Sequence, residues 1–187
     1  MSTKILKGFG LFAIVAILAF SLFNFIQPGV VSAAGLERLG GPGGGRGGYG
    51  SGTTSALTPL SAAETDALTR AILEEYGALN LYQSVIAQFG NVAPFAQIVR
   101  AEQQHINSLI LQANKYNVPV PDNPGLTAPA FASFTAALQA GEAAEIADAA
   151  LYDELKLTVT HSDILQVFNR LQSASLNSHL PAFQAYQ

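Results

Sequence analysis

From residue 58 onward the chain is written in a helical period. Leu68, Ile72, Glu75, Leu79, Tyr82, Ile86 and Phe89 recur at three- and four-residue intervals, apolar but for Glu75, which lines one face of an α-helix. Three further stripes follow: Phe95, Ile98 and Leu109; Phe134, Leu138, Tyr152 and Leu155; Leu165, Phe168 and Ala182. Ala and Leu dominate between them and β-branched runs are missing, so intrinsic propensity agrees with the period. The stops are as clear as the stripes. Ser61 with Glu64 three residues later is a capping box, and Gly90-Asn91 ends the first stripe. The pattern predicts helices over residues 61–89, 93–114, 130–157 and 162–185.

Loop lengths then set the topology. The first and second helices, and the third and fourth, are joined by short turns, so each pair forms an antiparallel hairpin. Between the hairpins Pro119, Pro121, Pro124 and Pro129 mark a connection of about 15 residues, long enough at about 3.3 Å per residue to travel the bundle. The predicted fold is all-α, a four-helix bundle of two antiparallel hairpins joined by a long crossover.

The first third of the chain follows different rules. Lys4 and Lys7 precede an uncharged apolar run over residues 8–26, and Val31-Ser32-Ala33-Ala34 offers small residues for a signal-peptidase cut. Residues 1–34 therefore read as a secretory signal, with an uncleaved membrane anchor as the alternative. Residues 35–56 are Gly-rich and cannot bury enough apolar surface to offset their ordering entropy, so they read as a flexible tether. The folded domain is residues 57–187, exported to the extracellular space, the periplasm or the outer face of the cell membrane.

Charge narrows the function. The domain carries 12 of the chain's 13 Asp and Glu residues but five of its nine Lys and Arg. An acidic domain does not suit nucleic acid, which wants a basic face; it suits cations. With no cysteine, thiolate zinc, iron–sulfur and CxxC redox sites are excluded.

Four of those acids fall on the core stripes. Glu75 sits at the centre of the first, Glu102 with His105 in the second, Glu145 with Asp148 in the third, and His179 near the inner face of the fourth. Isolated carboxylates in a core cost several kcal/mol, and the domain has too few bases to pair them. Two divalent ions would balance four carboxylates. Depth supports this: at 1.5 Å per residue, Glu75, Glu102 and His105 all lie about 18–23 Å from the first turn. Glu145 and Asp148 lie at a matching depth in the second hairpin, whereas His179 falls about one turn too deep. Tyr82 is a candidate neighbour of the site, Tyr152 reads as packing alone, and His161 has no assigned role. Glu74 and Glu142 would substitute for Glu75 and Glu145 if the helices were rotated.

Glu102-Gln-Gln-His105 resembles the Glu-x-x-His of ferritin-like di-iron proteins. Glu74-Glu75 with Tyr82, Arg100-Ala-Glu102, Gly141 with Glu145 and Asp148, and Ser175-Leu-Asn177-Ser-His179 are similar to the DUF2202 branch of that superfamily. The resemblance implies a ferritin-like bundle holding iron, with manganese or zinc as alternatives, and chemistry on O2 or peroxide of ferroxidase or peroxidase type. Its metal ligands would be Glu75, Glu102, His105, Glu145, Asp148 and His179, with Tyr82 beside the cofactor. The pattern departs from the family in the fourth helix, where position 176 is Leu instead of Glu; Asp148 would replace that carboxylate from the third helix. The alternatives are a non-catalytic metal-binding or structural bundle of the cell envelope, and a small-molecule binder with a cavity near Gly141 and Ser175.

Overall fold

The computed structural model describes residues 57–187 except 129. The expected signal segment, residues 1–34, and the Gly-rich linker, residues 35–56, lie outside the described residues. Four helices carry the fold: α1 (Ala62–Phe89), α2 (Phe95–Lys115), α3 (Phe134–Lys156) and α4 (Ser162–Ala174). A π-helical turn, Ser175–His179, and a short helix α5 (Leu180–Gln184) continue α4. No strand occurs among the described residues, and no helix among them is long and apolar enough to cross a membrane.

Local chemistry explains the ends. Ser61 accepts from the Glu64 amide while the Glu64 carboxylate accepts from the Ser61 amide, closing the capping box of α1. Gly90, at φ 86°, ends that helix in a conformation that favours glycine. At the end of α2, Asn117 takes φ 56° and the Val118 amide bonds back to the Ala113 carbonyl, a Schellman closure. Ser133 caps α3 through the Ala136 amide, so this helix starts later than the expected residue 130.

The bundle has the expected hairpins. Five residues separate α1 from α2 and α3 from α4, and 116–133 form the long connection. That connection runs beside α1 in rising register: Asn123 bonds Asn80, the Ala128 amide donates to Ser84, and the Phe131 amide donates to Gln88. It therefore delivers the chain from the α1 start to the α1 end before α3 turns back.

Two apolar clusters fill the interior. Toward the start of α1, Leu68, Ile72, Leu109, Leu155, Ile164 and Phe168 pack together with Tyr152. Toward its end, Val85, Phe95, Ile98, Leu138 and Phe183 pack with Tyr82. Phe183 fills the space beside Gly141, where a Cβ would meet its ring at 2.5 Å. The expected site for a small-molecule cavity near Gly141 is thus occupied by a side chain. Between the two clusters lies a layer of buried polar residues.

Candidate metal centre

Three helices and the π turn build that layer: Glu75 from α1, Glu102 and His105 from α2, Glu145 and Asp148 from α3, Ser175 and His179 from the π turn. Glu75, Glu102, Glu145, Asp148 and His179 are each less than a tenth exposed, and His105 is half-buried. Glu74 and Glu142, the rotated alternatives, are only half-buried; Glu142 instead accepts from Gln184 and Gln187.

Two potential ligand groups share one member. Glu75, Glu102 and His105 present ligand atoms within 4.8 Å of one another, and so do Glu102, Glu145 and His179. Glu102 serves both by dividing its oxygens. Its Oε2 lies 2.9 Å from His105 Nδ1 and its Oε1 lies 3.1 Å from His179 Nδ1. The outer carboxylates complete each side, with Glu75 Oε2 at 3.2 Å from His105 Nδ1 and Glu145 Oε2 at 3.3 Å from His179 Nδ1. The imidazoles stack with ring centroids 5.4 Å apart. Five of the six expected ligands thus converge on two adjoining groups, the three carboxylates and His179 buried and His105 half-buried, either of which could hold a metal ion.

The expected depth error at His179 has a local cause. A π-helical turn spends an extra residue on one turn, and α4 begins only at Ser162. Ser175 and His179, four apart, are both buried, while Leu176 faces outward. Asp148 stands beside both groups and belongs to neither. Its Oδ2 accepts a 2.6 Å bond from the Ser175 hydroxyl, and its Oδ1 is buried with no hydrogen-bond partner.

Two tyrosines brace the outer carboxylates. Tyr82 Oη donates to Glu145 Oε1 at 2.5 Å, and Tyr152 Oη donates to Glu75 Oε1 at 2.6 Å. Tyr82 was expected at the site. Tyr152, expected to pack alone, also hydrogen-bonds, because its ring ends at the boundary between the apolar cluster and the polar layer. A signal for it exists in the sequence: Glu75…Leu81-Tyr82 and Glu145…Leu151-Tyr152 repeat the same Glu-to-Tyr spacing in α1 and α3. Each tyrosine reaches across to the other helix's glutamate.

The electrostatics are those of a site short of cations. Burial alone would lower the imidazoles, but hydrogen bonds to Glu102 and Glu75 hold His105 up at about 10, and bonds to Glu102 and Glu145 hold His179 up at about 9. Burial also outweighs the histidine beside Glu75 and pushes that carboxyl upward. Glu102, desolvated but bonded to both imidazoles, comes down to about 2. Burial lifts Asp148 to about 8 despite its bond to Ser175. Protons on the imidazoles stand where a metal ion would bind, so metal entry would displace protons. The residues fit a divalent ion in chemistry as well: O and N donors, no thiolate, and one buried carboxylate oxygen without a donor.

The fold has a solved counterpart. The chain is similar to the crystal structure of a hypothetical protein from Methanococcus jannaschii, with 23% identity, a TM-score of 0.63, and coverage of 72% of this chain and 85% of that one. No family model matches the chain, and no curated protein matches it. The likeness is one of fold.

Proposed function

We propose that this chain is an exported ferritin-like protein of DUF2202 type whose centre binds two metal ions, iron first and manganese as the alternative, and carries out ferroxidase or peroxide-reducing chemistry. One observation carries the reading: Glu102 turns one oxygen to each of two histidines, and each histidine faces a further carboxylate. A single carboxylate shared between two nitrogen-bearing groups could serve both members of a pair of ions.

In this reading Glu75 and His105 would hold one ion and Glu145 and His179 the other, with Glu102 available to both. Bound iron would supply electrons to O2 or peroxide. Tyr82 and Tyr152 fix the outer carboxylates through their hydroxyl groups, which preserves the orientation of those ligands when the imidazoles lose their protons. The two apolar clusters on either side exclude bulk water from the layer. Export rests on the basic-then-apolar start and the small residues at 31–34.

A non-catalytic bundle is the second reading, and one observation favours it. Among the described residues only Gln112 Oε1 and Asp148 Oδ1 are buried side-chain nitrogen or oxygen atoms without a hydrogen-bond partner, so the polar layer is nearly satisfied by its own hydrogen bonds. The two readings separate on one experiment. The chain is given Fe2+ without oxygen and its bound iron is measured before and after air is admitted. About two irons per chain, followed by a ferric–oxo absorption band, supports the di-metal enzyme. No iron, manganese or zinc above background leaves the structural bundle.

A further inference from the structure

The two hairpins carry the centre almost symmetrically, and the exception is informative. Glu75 and Tyr82 in α1 correspond to Glu145 and Tyr152 in α3, and His105 in α2 corresponds to His179 after α4. At the same offsets, Glu102 of α2 is matched by Leu176, which faces solvent. The first hairpin has Ala78 and Ala101 at the positions where the second has Asp148 and Ser175. Those two residues are bonded to each other at 2.6 Å and are both buried, and the second Asp148 oxygen, Oδ1, is buried without a partner. The half that lacks the glutamate is the half that gains the Asp–Ser pair.

Charge makes the same point. Glu75, Glu102 and Glu145 offset three of the four charges of two divalent ions, and a fourth carboxylate is needed for neutrality. Asp148 is the remaining buried acid of the layer. A short aspartate on α3 cannot replace a glutamate on the fourth helix unless something sets its carboxylate. Ser175 does so: four residues after buried Leu171 it faces inward and donates to Asp148, and the π turn that begins there keeps His179 on the same inner face.

We infer that Ser175 is a positioning residue that sets Asp148 as the fourth carboxylate of the centre, so that binding of the second ion depends on this pair instead of a fourth-helix glutamate. The inference rests on the two-metal reading and deepens it. Without the pair, the first ion still has Glu75, Glu102 and His105, and the second lacks its balancing charge.

The test is equilibrium dialysis of the full chain against Mn2+, with electron paramagnetic resonance to distinguish coupled from isolated ions. Wild type should hold about two coupled ions. Asp148→Asn, which keeps shape and loses charge, should hold one and show an isolated-ion spectrum. Ser175→Ala should weaken the second ion by about 10- to 100-fold, and Ser175→Thr, which restores the hydroxyl, should recover it. Helical circular dichroism on each variant separates binding from folding. Two coupled ions at wild-type affinity in Asp148→Asn, or an unchanged second ion in Ser175→Ala, would overturn the inference and leave the two-metal reading intact. A wild-type chain that binds no Mn2+ would overturn both.

Discussion

Glu64 at the end of the bundle and Glu75 at its middle are each 2% exposed, yet they meet opposite environments. Glu64 Oε2 accepts from the Ser61 amide and hydroxyl; its Oε1 accepts from the amides of Thr160 and His161, the Thr160 hydroxyl and His161 Nδ1. One carboxylate thereby caps α1 and ties the start of α4 to it. Burial alone would raise its pKa, but the bonds from His161, Ser61 and Thr160 outweigh that and hold it far below its ordinary value. Glu75 has a tyrosine hydroxyl and a histidine shared with Glu102, and burial pushes it up. Equal solvent exposure hides unequal depth and unequal donors: the shallow, donor-rich Glu64 is a structural carboxylate, and the deeply enclosed, donor-poor Glu75 is one that calls for a cation.

The comparison breaks most easily at Glu102. Glu102→Ala removes the carboxylate both imidazoles share, and bound metal should fall from about two ions per chain to none, read by dialysis. Glu64→Ala should leave metal content unchanged and act on stability alone. It strands the donors of Ser61, Thr160 and His161 at a cost of about 1–3 kcal/mol, read as a lower urea midpoint, while the Ser61 cap on the amide of residue 64 remains. Equal loss of metal in both variants would erase the distinction between the two clusters.

The end cluster also predicts a pH profile. Glu64 has a depressed pKa, so its stabilisation is present above the ordinary 4.5 and is lost as pH falls below that value. His161 is shifted upward by its bond to Glu64, so its stabilisation is complete below 6.5 and is lost as pH rises through its folded value. The melting-temperature difference between wild type and Glu64→Ala should therefore be largest between pH 4.5 and 6.5 and shrink on both sides. A difference that stays flat from acid to alkaline pH would show that neither titration contributes to the cluster's stabilisation.

The helical period made most of this legible. Glu75, Glu102 and Glu145 announce themselves as charges on apolar stripes, because a stripe position at the middle of a long helix has nowhere to go but inward. The shared capping box of Ser61 and Glu64 was readable for the same reason that all capping boxes are: its partners lie three residues apart. What stayed hidden depends on contacts between distant elements. The second duty of Glu64, toward Thr160 and His161, joins residues that no local pattern relates, so His161 carried no sign of a role. The π turn is hidden for another reason: it shifts one residue within an unbroken helical stretch, so His179 looked about one turn too deep. Tyr152 read as core because its ring is core; only its last atom belongs to the polar layer.

Phe183 links the hidden turn to the legible core, and its contact with Gly141 sharpens the contrast between packing and donor effects. A methyl at 141 would sit 2.5 Å from the Phe183 ring, inside any tolerable contact. Gly141→Ala should cost about 1–3 kcal/mol by overpacking, visible as a lower melting temperature in metal-free and metal-loaded protein alike. A loss confined to the loaded form would instead mean that Phe183 acts on the centre through the π turn that precedes it.

The smallest expected effect tests whether the tyrosines belong with the donors of the end cluster or merely support the centre. Tyr82→Phe and Tyr152→Phe each remove one hydroxyl donor from an outer carboxylate and leave the ring packed in its apolar cluster. In the metal-free chain each should cost about 1 kcal/mol, the net worth of an ordinary hydrogen bond. Because the two bonds are related by the exchange of α1 and α3, the two costs should be nearly equal. With metal bound, each should weaken one ion by about 10-fold through the freed carboxylate, Tyr152→Phe through Glu75 and Tyr82→Phe through Glu145. If Tyr82→Phe weakens binding and Tyr152→Phe does not, the hairpins are unequal at their outer ligands as well as at Asp148, and the centre is better described as one strong position with a dependent second. If neither variant alters binding, the outer carboxylates are oriented by the helices alone and the tyrosines serve the core.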